Sequence, residues 1–302
     1  MAAGPTDPLA RRHPILRVFL ILAVSAVGLL VLVAGLAVFG GLDERALFGN
    51  AVGVVDVRGV IEDGTDVIET LERFRRQDGT VAVVLRIDSP GGAVAPSQEI
   101  YDEVWRVREQ KPVIASLGNV AASGGYYVAS AANAIVASPG SITGSIGAIM
   151  ALPYLGPLAD KVGIAEQVVK SGPYKDIGHP TRVLTAEDRV LLQGMVDDVR
   201  EQFVAAVARG RGMEAERVRA LADGRIFSGA QAEASGLVDT LGGLDAAVRA
   251  AWVQAGQSGE PRVTRIRSRR SPWWVRFLSE TFASESQHTT GLLFLYRGPL
   301  LE

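Results

Sequence analysis

Three glycine-rich loops hold the groups in this chain that could do chemistry. In Asn119-Val120-Ala121-Ala122-Ser123-Gly124-Gly125-Tyr126-Tyr127 a serine stands among small residues at the predicted start of an apolar helix. Helix starts present unpaired N–H donors and partial positive charge. Ser123 acting as a nucleophile would find an oxyanion donor in the N–H of Gly124. The same position also suits an ordinary N-cap serine. The loop Asp88-Ser89-Pro90-Gly91-Gly92 follows an apolar strand pattern. Pro90 sets one φ angle, and two glycines allow a tight turn whose N–H groups face outward to an anion, though such a turn can also be plain. The third loop, Ser141-Ile142-Thr143-Gly144-Ser145-Ile146-Gly147, is apolar enough to be buried. Its polar groups must then be satisfied, which predicts a loop ordered around a site. Ile142, Ile146, Ile149 and Met150 read equally as substrate-pocket wall or as core.

A serine nucleophile needs a base. The chain has 3 histidines, His13, His179 and His288, without metal-ligand spacing. A Ser-His-Asp arrangement through His179 stays open. The other option is lysine, and beyond residue 39 only Lys111, Lys161, Lys170 and Lys175 occur. Lys175 lies in the turn sequence Ser171-Gly172-Pro173-Tyr174-Lys175-Asp176. A lysine base must be neutral, so its reference pKa of about 10.4 would have to fall to about 7–8, as burial among apolar groups can achieve. A solvated loop lysine is the plain alternative. With 0 cysteines the chain has no thiol nucleophile, disulfide or thiolate metal site.

The elements that must position these groups are legible as strand–helix alternation. Apolar strands are expected at 52–57, 81–87, 112–117 and 165–169. Helices are expected at 66–77, 96–110, 123–132, 185–209, 214–222, 230–235 and 245–255. Thr185 followed by Asp188 resembles a capping pair. The pattern predicts one α/β domain over 51–255 with a parallel or mixed sheet covered by helices. At 48% hydrophobic and 21% charged residues, a disordered chain is excluded. A net charge of −2 gives no support to a general nucleic-acid binder.

Residues 18–39 carry no charge, follow Arg11, Arg12 and Arg17, and precede Asp43 and Glu44. A helix of that length reaches about 33 Å, enough to cross a bilayer. The positive-inside rule then places residues 1–17 in the cytoplasm and everything after a 40–50 linker outside. The span is longer than a cleaved signal segment, so a retained anchor is expected. The 256–302 tail is basic and aromatic, with Trp273 and Trp274 among arginines. It suits either a lipid headgroup surface or an ordinary solvated edge. Its last apolar run, residues 292–296, is expected to dock on something.

Taken together, the three loops and Lys175 resemble the signal peptide peptidase A family of membrane-anchored bacterial serine proteases. Gly224-Arg225-Ile226-Phe227-Ser228-Gly229 and Gly236-Leu237-Val238-Asp239-Thr240-Leu241-Gly242-Gly243 also match, so the resemblance covers about residues 50–255. It implies a Clp protease/crotonase-like α/β fold behind an N-terminal transmembrane helix, and a Ser–Lys dyad. Carried over by motif, Ser123 is the nucleophile and Lys175 the base. Gly92 and Gly124 supply oxyanion N–H groups, and Ser145 orients the lysine, with Thr143 as its adjacent alternative. The resemblance further implies a short single-domain member that forms a ring or dome of copies. One copy's base could then serve its neighbour's site. Remnant signal peptides and other apolar peptides are the implied substrates, cut beside the bilayer without metal or organic cofactor. Rival readings are a crotonase-like acyl-CoA enzyme, another membrane Ser–Lys protease acting on membrane proteins, and a non-catalytic membrane scaffold.

Overall fold

A computed structural model describes residues 14–39, 49–266 and 293–295, with side chains at 18, 19, 21–32 and 49–266. The expectations for residues 1–13 and 40–48, and for the arginines and tryptophans within 267–292, lie outside the described residues. The chain divides into two compact units, 1–49 and 50–302.

The first unit holds helix α1, Pro14–Phe39. Its described side chains are all exposed and none is charged. Among the described residues no helix is long and apolar enough to cross a membrane.

In the second unit β1 (Ala51–Arg58), β2 (Thr80–Ser89) and β4 (Val113–Ala122) form the centre of a parallel sheet. Val83, Leu85 and Ile87 of β2 face one core cluster while Ala82 and Val84 face the other. Such strands read as continuous apolar runs because both faces are covered. One face carries α2 (Thr65–Arg76), α3 (Val94–Arg108), α4 (Gly124–Ser130) and α6 (Ala186–Arg211), through Phe74, Val104, Tyr126 and Phe203 among others. The other carries α9 (Leu244–Gln254), through Val248 and Trp252.

Strand β4 is longer than its apolar run suggests, and that length builds the site. Its first half pairs with β5 (Ala134–Ala137), which in turn pairs with β8 (Thr240–Leu241). Its second half, Val120–Ala122, leaves β5 and pairs with β6 (Ile142–Gly144). The sequence reads 119–122 and 141–147 as loops, yet parts of both are sheet. Glycine and serine hid a strand whose pairing is set by tertiary contact. Strand β7 (Ile226–Ser228) adds antiparallel to β6, and β9 (Val263–Thr264) pairs with β1 on the far side.

The helices α5 (Gly156–Val162), α7 (Ala215–Arg219) and α8 (Gly229–Ser235) complete the unit. Among the described residues none between 149 and 198 belongs to either core cluster. The strand expected at 165–169 does not form: these residues have no partner strand, and Val169 is 98% exposed. The expected capping pair is present as a full capping box. Thr185 accepts from the Asp188 N–H, and Asp188 accepts from the Thr185 N–H at 2.9 Å.

Candidate active site

The short strand β3, Gly91–Ala93, is fixed on one edge by Ile61. The Ile61 N–H donates to Gly91 C=O at 2.9 Å, and the Ala93 N–H donates to Ile61 C=O at 2.8 Å. Successive residues of a strand turn their polar groups to opposite edges. The N–H of Gly92 therefore faces away from Ile61. A side chain at 92 is impossible here, because its Cβ would stand 2.1 Å from the Ile61 oxygen. Two buried serines brace the turn: Ser89 Oγ accepts from the Gly91 N–H at 3.1 Å, and Ser97 Oγ donates to Ala93 C=O at 2.8 Å.

Ser123 sits where β4 gives way to α4. Its backbone lies at φ 53° and ψ −119°, outside the regions open to ordinary L-residues. Such a conformation costs about 1–3 kcal/mol and persists only where the surroundings impose it. Here the Ser123 N–H donates to Gly144 C=O at 2.8 Å and its C=O accepts from the Tyr127 N–H at 2.8 Å. Ser123 thus holds the N-cap position of α4, but its side chain makes no capping hydrogen bond there. The next N–H, that of Gly124, is a first-turn donor. A Cβ on Gly124 would stand 3.2 Å from the Gly92 nitrogen and 2.7 Å from Ser97 Oγ. The backbones of Gly92 and Gly124 thus lie against one another beside Ser123. Helix α4 is anchored by buried tyrosines: Tyr126 donates to Leu237 C=O at 2.8 Å, and burial pushes the phenol of Tyr127 up to about 12.

Ser123 and Ser145 line one cleft of about 700 Å³. Ser145 also has a positive φ, 52°, with its N–H donating to Arg225 C=O at 2.8 Å. Thr143, the adjacent alternative, is buried and its hydroxyl is spent on Ala121 C=O at 2.7 Å. Of the loop residues read equally as pocket wall or core, two stand outside the cleft lining. Ile146 is 0% exposed and belongs to the core, and Ile142 pairs between Val120 and Ser228 outside the cleft lining. Ile149 does line the cleft.

The opposite wall was missed in the sequence. It is one face of α6, Gln193, Val196, Asp197 and Arg200, whose i, i+3, i+4, i+7 spacing was the available signal. Its charges are engaged locally. Gln193 donates to Asp197 at 2.9 Å, and Arg200 Nε donates to Ala222 C=O at 3.0 Å. Asp223 at the rim is held at about 2 by hydrogen bonds from the side chain and backbone of Arg225.

Lys175 is exposed in a turn and is not part of the cleft lining. Among the described residues lining the cleft there is no lysine or histidine. His179 faces Glu166 at 3.4 Å and Thr181 at 3.1 Å, in the same segment as Lys175.

Comparison with known proteins agrees with this geometry. The Peptidase family S49 model matches residues 106–258, and the Clp protease model matches 54–141. A Synechocystis sp. protein bearing a protease name is 46% identical over 190 residues, covering 62% of this chain and 68% of that one. The chloroplastic serine protease SPPA of Arabidopsis thaliana is 34% identical over 238 residues, 76% of this chain and 35% of that one. Protease 4 of Salmonella typhi is 36% identical over 210 residues, 66% of this chain and 34% of that one. The match thus spans about a third of these two longer relatives. A strained serine beside two close glycine backbones, on a sheet that the Clp protease model also matches, completes the assignment: the chain belongs to peptidase family S49, the signal peptide peptidase A family, and is a serine peptidase.

Proposed function

We propose that this protein is a membrane-anchored endopeptidase that cuts apolar peptides, including remnant signal peptides, with Ser123 as nucleophile and Lys175 of a neighbouring copy as base. The observation that carries the reading is the strained backbone of Ser123 at the floor of a cleft, next to the Gly92 and Gly124 backbones. A neutral lysine entering the cleft between Ser123 and Ser145 takes the serine proton as the oxygen attacks a peptide carbonyl. Ser145 Oγ orients the amine. The N–H groups of Gly92 and Gly124 hold the tetrahedral oxyanion. The lysine then protonates the leaving amine, and water releases the acyl-enzyme.

The anchor rests on residues 18–39, uncharged and flanked by arginines on one side and acids on the other. The described part of α1 exposes apolar side chains on all sides, as in Phe19 at 72% and Leu30 at 72%. A helix that is apolar all round needs a nonpolar environment, which a bilayer provides. A homo-oligomer is supported by the exposed apolar residues of the segment that holds Lys175, including Leu158, Ile164 and Val169.

The test is hydrolysis of an apolar, signal-peptide-like substrate by the detergent-solubilised full chain from pH 6 to 10. Activity should rise with pH through one ionisation, and Ser123→Ala and Lys175→Ala should each abolish it. A folded, assembled wild type that cuts no apolar peptide would favour the scaffold reading. Loss in Ser123→Ala alone would remove Lys175 from the mechanism.

A further inference from the structure

Strand β10, Leu293–Leu295, forms a separate antiparallel pair with β3. Leu293 lies opposite Ala93, Phe294 opposite Gly92, and Leu295 opposite Gly91. The other edge of β3 decides which of these pairs exchanges hydrogen bonds. Ile61 already holds Gly91 C=O and the Ala93 N–H, and Ser89 Oγ holds the Gly91 N–H. The free edge of β3 therefore presents the N–H and C=O of Gly92, and Phe294 stands directly across from them. In an antiparallel ladder that makes Gly92 and Phe294 the pair that exchanges both bonds.

This edge is where a peptide substrate would lie. An extended chain adds to an exposed strand edge by main-chain hydrogen bonds. The carbonyl under attack must meet the oxyanion donors. The N–H assigned above as one of those donors, that of Gly92, faces the Phe294 backbone. The surrounding run Leu292-Leu293-Phe294-Leu295-Tyr296 is uninterrupted apolar sequence, the substrate class proposed for the site.

We propose that residues 293–295 occupy the substrate edge of the site as a built-in competitor, with Phe294 standing where the residue under attack would stand. The proposal rests on the Ser123 reading of the active site. Substrate then reaches only the fraction of sites from which the strand has lifted. The apparent KM is raised by the inverse of that fraction, and kcat is untouched. Apolar substrates that bind the edge well displace the strand, whereas weak binders are refused.

The experiment uses the full chain, a chain lacking residues 285–302, and Phe294→Pro, which removes the N–H that would donate to Gly92 C=O. Hydrogen exchange is followed in the Ser123→Ala background, where no cleavage can occur. The Gly92 amide should exchange about tenfold faster or more in both altered chains than in the unaltered tail. In the active background both alterations should lower KM for an apolar reporter peptide several-fold at unchanged kcat. Phe294→Pro decides the matter if the deletion disturbs assembly. Equal Gly92 exchange with and without the tail, or equal KM, would overturn the proposal while leaving the protease reading intact. Absence of hydrolysis in every chain would instead defeat the protease reading, and the exchange measurement would still decide whether the strand is seated on β3.

Discussion

Ser123 carries its strain for a reason that is separable from its hydroxyl. At φ 53° and ψ −119° a residue without a Cβ would be at ease. Ser123→Gly should therefore stabilise the fold by about 1 kcal/mol, within the 1–3 kcal/mol such strain stores, while activity falls at least about 1000-fold. Ser123→Ala should be equally inactive without the gain, because alanine keeps the Cβ. Thermal or denaturant midpoints of the two variants, run beside peptide hydrolysis, check this. Equal stability in the two would mean that the backbone is not held against its preference. A second contrast separates the hydroxyls of the third loop. Thr143 donates within the sheet to Ala121 C=O, whereas Ser145 faces the cleft. Ser145→Ala should lower kcat about tenfold or more, one hydrogen bond to a charged or reacting group, with little change in stability. Thr143→Ser retains the bonding group and should leave kcat nearly unchanged.

The elements divide into those that position Ser123 and those that present Lys175, and α6 belongs to both. Its cleft-facing side walls the site, and its N-terminal box receives the segment carrying the lysine. Asp188 is buried there, its carboxylate held well below the usual range by the Thr185 N–H and then by Arg182 at 2.7 Å. A depressed folded-state pKa means that the contribution is present above the unfolded value of about 3.9 and is lost as pH falls through the folded value. Wild type should therefore exceed Asp188→Asn in thermal midpoint at pH 7, and the gap should narrow as pH falls below about 3.9. A gap unchanged by acidification would show that the charge is not what holds this joint. This helix was legible in the sequence because its signals are local: the Thr185–Asp188 pair at the head of a run with helical periodicity. The central strands were legible for the same reason, their apolar runs being bounded by turn residues. What was not legible depends on distant partners. The second half of β4, Val120–Ala122, follows Gly118 and Asn119 and is a strand because β6, and at Ala121 also β2, lies beside it. Residues 165–169 have the composition of a strand but no partner. Ile146 and Ile149 look alike in sequence, yet one is core and the other lines the cleft. The positions of Ser123, Gly92 and Gly124 followed from motifs, but their mutual proximity is a product of the sheet.

At the scale of the whole molecule, the two members of the proposed dyad stand apart in the cleft lining: Ser123 belongs to it and Lys175 does not. The cleft around Ser123 contains no lysine or histidine among its described lining residues, and Lys175 stands exposed outside it. The segment bearing Lys175 is cross-linked within itself, by Lys170 to Asp176 at 2.8 Å and Arg182 to Asp176 at 3.5 Å. It contributes nothing to the core, and it exposes Leu158 at 57%, Val162 at 61% and Ile164 at 63%. A segment that exposes several large apolar side chains is better explained as half of an interface than as a solvated loop. If that interface delivers Lys175 to a neighbour's Ser123, two dead variants should rescue one another. Ser123→Ala chains still offer a lysine, and Lys175→Ala chains still offer a serine. Each alone should show no turnover, and co-assembled mixtures should recover a sizeable fraction of wild-type kcat, greatest near equal proportions. Ile164→Asp should lower both association and turnover, since burying an unpaired carboxylate in an apolar contact is strongly unfavourable. Mixtures that form wild-type-sized assemblies yet stay inactive would place both dyad members within one chain, and the Lys175 segment would then have to fold back onto its own cleft.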